Sequence, residues 1–106
     1  MPVSKKSIST IGEQIRLLRE KSNLSLREVT SNIGIDTSLL GKIERSERQP
    51  TKEQLKQIAA FFKVDEKKLI KEMLSEQFAN KIIEEEADLD ILKVAEEKVE
   101  YLKTKR

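Results

Sequence analysis

The chain contains no cysteine, no histidine and no tryptophan, only two prolines and three glycines, and 4% aromatic residues among 106. Without thiols, disulfides and thiolate chemistry are excluded; without imidazole, the commonest general base and most transition-metal sites go as well. No nucleophile and base fall together, so an enzyme is not expected, nor any cofactor or metal. Nowhere do apolar residues run to the roughly 20 that a membrane span needs, and the opening MPVSKKSIS lacks the apolar run of a signal peptide. A soluble, cytoplasmic protein with no membrane partner is expected.

What the chain does contain is charge, and it is unevenly placed. Residues 1–63 hold 12 Lys+Arg against 7 Asp+Glu, a balance of +5, and residues 64–106 hold 9 against 12, a balance of −3. The basic half is the candidate for a polyanionic partner. With 37% apolar residues in so short a chain, one small domain and an appendage are expected.

Helix starts are legible because the reciprocal S/T-x-x-E/Q box, which satisfies two orphan amides, occurs three times: Thr10 with Glu13, Ser25 with Glu28, and Thr51 with Gln54. Each precedes an apolar pattern of helical period. Ile11, Ile15 and Leu18 predict a first helix ending near Lys21, and Leu26, Val29 and Ile33 predict a second ending at Gly34. Asp36 suits the N-cap of a third, with Leu39, Leu40 and Ile43 inward, ending near Ser46 because Pro50 disfavours helical geometry at Gln49. A fourth spans about 52–62, and a fifth begins after Asp65 with Leu69, Ile70 and Met73 inward. No stretch alternates with period two and no hairpin dipeptide occurs, so the fold class is all-α.

In NIGIDTSLLGKIERSE, residues 32–47, the apolar residues on both sides of Gly34 serve to dock two short helices at a steep angle. That is the helix-turn-helix pattern, and Gly34 is expected to supply a positive φ at the turn. The segments IGEQIRLLRE, SLREVTSNIGI and SLLGKIERSERQP stand in matching register, and residues 10–74 resemble the DNA-binding domain of the lambda-repressor/Cro or xenobiotic-response-element type of regulator. The resemblance implies a five-helix domain over 10–74, with a basic arm at 1–9 and a helical extension at 75–106. It implies double-stranded DNA as partner and a nucleoid-associated place in the cytoplasm. Three residues depart from the family pattern: Leu26 where a Gln is usual, Thr30 for Ala where the two helices cross, and Ser46 for Gly after the recognition helix.

A recognition helix in the major groove presents its exposed face to base edges while its neighbours hold phosphates. On the helix at about 36–46 the outward positions are Thr37, Ser38, Gly41 and Lys42, the base-reading candidates. Gly41 costs about 1 kcal/mol against Ala within a helix; it is either tolerated surface or a place where the missing side chain admits a base pair. Ser25, Arg27, Arg45, Ser46 and Arg48 are the phosphate candidates. The resemblance also implies a largely buried ion pair between Arg19 and Glu44.

Beyond Ser75 the composition shifts to Glu and Lys, and a short helix to about Glu86 followed by a second from about Leu89 to Lys103 is expected. The carboxylates of Glu84, Glu85, Glu86, Asp88 and Asp90 lack the spacing of a cation loop and fit a solvated face. Leu92, Ala95, Val99 and Leu102 form a short apolar seam, and Phe78, Ile82, Leu92 and Val99 are candidate contacts of a homodimer. The segment LKVAEEKVEYLK is similar to tails of restriction-modification controllers. Two functions follow: a homodimeric regulator on a two-fold symmetric operator, or an antitoxin-type protein whose extension binds a protein partner.

Overall fold

The computed structural model describes residues 8–106, which form six α-helices and no strand: α1 Ile11–Lys21, α2 Leu26–Thr30, α3 Thr37–Glu44, α4 Lys52–Phe62, α5 Glu66–Glu84 and α6 Ile91–Thr104. The chain divides into one unit up to Glu76 and another from Gln77 to Arg106. Most of the expected basic arm lies outside the described residues.

All three boxes close in both directions. Thr10 Oγ1 accepts from the Glu13 amide at 3.0 Å while Glu13 accepts from the Thr10 amide at 2.8 Å. The same exchange occurs at Ser25 with Glu28 and at Thr51 with Gln54, and Asp36 Oδ1 accepts from the Leu39 amide at 2.7 Å to start α3. Four orphan amides per helix make such partners the local reason that each helix starts where it does.

Four of the six helix ends follow a rule that the sequence hides. Asn23, Ser46, Lys63 and Glu86 have φ of 56°, 63°, 57° and 52°, each just past the end of a helix. The next amide reaches back five residues in every case: Leu24 to Arg19, Glu47 to Lys42, Val64 to Ala59 and Ala87 to Ile82. These are Schellman closures, usually built on glycine because a left-handed residue with a Cβ is strained. Here none of the four is glycine, and no glycine has positive φ.

Gly34 therefore does not turn the chain by a positive φ. Its amide donates to Gln57 Oε1 of α4, and a Cβ at Gly34 would lie 3.0 Å from that oxygen. α2 is also shorter than expected and stops at Thr30. Ser31 Oγ and Asn32 Nδ2 both donate to the Glu28 carbonyl, drawing the last turn away from helical continuation, and Ile33 reaches the core from the turn instead. Conversely, the fifth helix and the expected short helix after Ser75 are a single helix, α5. Ser75 Oγ bonds back to the Lys71 and Glu72 carbonyls, and neither Gly nor Pro interrupts residues 66–84.

In the first unit, Ile11 and Ile15 of α1 meet Val29, Leu40, Ile43, Leu55, Ile58, Leu69 and Met73 in one buried core. α1 crosses the end of α3 at Gly12, where an added Cβ would stand 2.1 Å from the Ile43 carbonyl oxygen. Only glycine lets these two backbones approach so closely. α5 returns to α1: Glu76 accepts from the Ile11 amide at 2.7 Å and from Gln49 Nε2 at 2.8 Å, and Gln14 Nε2 donates to Glu72 at 2.9 Å.

In the second unit, α6 buries no residue. Its apolar seam is open, with Leu92 45%, Val99 50% and Leu102 53% exposed, and Phe78 of α5 is 40% exposed. Ile82 differs from the other three contact candidates: at 9% exposure it is already covered by its own chain and offers little surface to a partner.

Candidate nucleic-acid interface

α3 is held against α1 and α2, which leaves one face free. Against α1, Arg19 and Glu44 make a forked pair, Nε to Oε2 at 2.8 Å and Nη2 to Oε1 at 2.9 Å, while Arg19 Nη1 donates to the Leu24 carbonyl at 2.9 Å. The Glu44 side chain is 4% exposed. Its hydrogen bonds, outweighing the cost of burial, push the Arg19 guanidinium further above its ordinary pKa. One arginine thereby ties α1, the α1–α2 turn and the end of α3 together.

Against α2, the contact is a hydroxyl pair: Thr30 Oγ1 and Thr37 Oγ1 are 2.8 Å apart. The departure at Thr30 thus has a partner in α3, and the half-buried Thr37 is a bracing residue of the helix pair and not a free outward side chain. Leu26 packs against the core, and its Cδ1 would be 3.7 Å from a Cβ at Gly41. At this departure from the family pattern, the leucine covers a bare stretch of helix.

Gly41 is consequently buried, contrary to the outward place expected for it. The Arg45 guanidinium covers it from the other side, with Nη1 3.1 Å from where a Cβ would stand. Ser38 and Lys42 are exposed. Together with Asp36, Leu39 and Arg48 they line one shallow hollow of about 240 Å³, so two base-reading candidates and one phosphate candidate share a surface.

The remaining phosphate candidates lie on α2 and at the end of α3. Arg27 is exposed in the last turn of α2. Ser25 caps α2 by accepting from the Glu28 amide at 3.1 Å, which leaves its hydroxyl proton for another acceptor. Ser46, in its left-handed conformation, donates to Thr10 Oγ1 at 3.1 Å. Arg45 is paired with Glu47, Nε to Oε2 at 2.8 Å. Hydrogen bonding from Arg45 and the nearby positive charge hold the Glu47 carboxyl below the usual glutamate range. Glu47 and Gly12 are the two residues of this region that reading the sequence missed. The ion pair depends on a turn conformation with no sequence marker, and the glycine depends on a helix crossing.

A short helix braced on one side against α1 and α2, with serine and basic side chains on the other, is the DNA-binding element of a helix-turn-helix domain. The helix-turn-helix family model matches residues 15–69, just over half of the chain, and the protein belongs to this family, in its Cro/C1 and xenobiotic-response-element type. The fold is accordingly lambda-repressor-like, and the chain is a DNA-binding regulator of that class. Comparison with curated proteins gives no match. Among the described residues, no helix is long and apolar enough to cross a membrane.

Proposed function

We propose that the protein is a sequence-specific transcriptional regulator that acts as a homodimer on a two-fold symmetric operator. The observation that carries this reading is the free face of α3: Ser38 and Lys42 exposed on a helix whose opposite side is fixed by Arg19–Glu44 and Thr30–Thr37. Ser38 and Lys42 meet base edges, Thr37 offers its hydroxyl in an orientation set by Thr30, and Arg27, Arg48 and Ser25 hold the flanking phosphates, while the Ser46 hydroxyl is committed to Thr10. Two such helices must lie about 34 Å apart to occupy successive major grooves, which requires a second copy. The open apolar residues of α6 and Phe78 supply a surface for it.

The test is a titration of duplex DNA at several salt concentrations. Binding with a steep loss of affinity as salt rises is expected, since each neutralised phosphate releases counterions. Lys42→Ala should cost about 1 to 3 kcal/mol on a selected site and relax preference at one position per half-site. Equal weakening on selected and random duplexes would make Lys42 a phosphate contact. Absence of duplex binding at low salt would overturn the proposal. The same exposed residues of α6 fit a second reading, in which the extension binds another protein, as in an antitoxin; a stable monomer that still binds a half-site would favour it.

A further inference from the structure

We propose that Arg45, and not only the residues of the first turns of α3, reads a base: its guanidinium, laid over Gly41 and clamped by Glu47, donates to the O6 and N7 of a guanine. The inference rests on the DNA-binding reading above and names a specificity residue within it. Position 45 lies seven residues beyond Ser38, so the two stand one above the other on the helix wheel, at the centre of the exposed face. Arg45 is the C-cap residue of α3, with φ −86° and ψ 5°, and its side chain leans back along the helix toward the N-terminus. Its guanidinium therefore lies over the preceding turn, and that turn carries Gly41. Nη1 sits 3.1 Å from where a Cβ at Gly41 would be. The glycine does leave room on the recognition helix, and the room is taken by an arginine from one turn further on.

The pairing with Glu47 decides between base and phosphate. Glu47 accepts from Nε at 2.8 Å and more distantly from Nη2 at 3.5 Å, which leaves Nη1 and the outer Nη2 proton uncommitted. A guanidinium already neutralised by a carboxylate gains little from a phosphate, where charge supplies most of the attraction. A guanine asks for two donors in a fixed plane, which the clamped fork provides. The clamp also accounts for an acidic residue among the phosphate candidates Ser46 and Arg48, because its charge is spent on Arg45. As a contribution to stability an exposed pair of this kind is worth little.

The experiment selects bound sites from random duplex DNA with the full-length protein and with R45K, which keeps the charge and loses the fork. The wild-type site is expected to hold one guanine per half-site whose preference disappears in R45K, with non-specific binding retained. Placing 7-deazaguanine there, which lacks the N7 acceptor, should lower wild-type affinity roughly tenfold or more and leave R45K unchanged. G41A, whose Cβ displaces the guanidinium, and E47A, which removes its acceptor, should weaken preference at that same position while leaving the melting temperature at or above the wild-type value for G41A. Enrichment by R45K identical to wild type, or an equal 7-deazaguanine penalty in both, would overturn the assignment while sequence-specific binding stands. A wild-type selection that enriches nothing would overturn the parent reading and this one together.

Discussion

Glycine 12 and lysine 63 carry opposite lessons about single residues. A Cβ at Gly12 would meet the carbonyl oxygens of Ile43 and Glu44, both backbone atoms that cannot swing aside. Gly12→Ala is therefore expected to destabilise by at least about 3 kcal/mol, although alanine is the better helix former. A urea melt checks this, and a variant as stable as the parent would mean that α1 can slide off α3. At Lys63 a side chain occupies φ 57° with no bond that needs it. Lys63→Gly should stabilise by about 0.5 to 1 kcal/mol, relief of left-handed strain exceeding the entropy that glycine adds to the unfolded chain. Thermal melts of both variants give the comparison. Neither effect was legible in the sequence. A glycine inside a helical pattern looks like a defect until the crossing helix is known, and a lysine after Phe62 carries no sign that it must turn left-handed. Gly34, which did look like the turn residue, serves by its amide to Gln57 instead.

At the scale of elements, every capping-box start was readable, as were the ends of α1 and α4, whereas the end of α2 and the length of α5 were not, for a physical reason. A capping box is a contact between residues three apart, fixed by local geometry, so Thr10, Ser25 and Thr51 announce α1, α2 and α4 in the sequence. The end of α2 at Thr30 depends on Ser31 and Asn32 competing for one carbonyl, and the length of α5 depends on nothing interrupting it. α2, with five residues, is too short to persist alone, and its hold on α3 depends on tertiary bonds. The Arg19–Glu44 pair, which fixes α1 and the α1–α2 turn to the end of α3, is the strongest in geometry of the bonds around α3. Arg19→Met should leave Glu44 buried without a partner and cost about 3 kcal/mol or more, while adding Glu44→Leu should recover much of the loss. Urea melts of the two single variants and the double decide this, and strictly additive losses would refute the coupling. The family resemblance led to this pair; composition and periodicity alone place Arg19 and Glu44 only beside inward residues.

For the whole molecule the open question is what covers α6. Removing the extension at Leu74, where composition begins to shift, would be a poor test, because it deletes Glu76 and with it the carboxylate that receives the Ile11 amide and Gln49. Loss of DNA affinity would then report damage to α1 as much as loss of a clasp. Substitution on α6 avoids this, since none of its residues is buried in the described chain. Leu92→Glu together with Val99→Glu places two charges on the open seam, at roughly 25 cal/mol per Å² of apolar surface that a second copy would otherwise cover. If the extension is the clasp, this double variant should sediment as a monomer at concentrations where the parent is a dimer. Its melting temperature should equal the parent's at concentrations where the parent is itself monomeric and lie below it where the parent is dimeric, and it should lose affinity for a full palindrome far more than for a half-site. Ile82→Ala provides the contrast: buried within its own chain, it should lower the stability of the second unit by about 2 to 5 kcal/mol, whatever the oligomeric state. A double variant that remains dimeric with unchanged operator affinity would assign the seam of α6 to a different protein, and the autoregulating, partner-binding reading would then replace the simple homodimer.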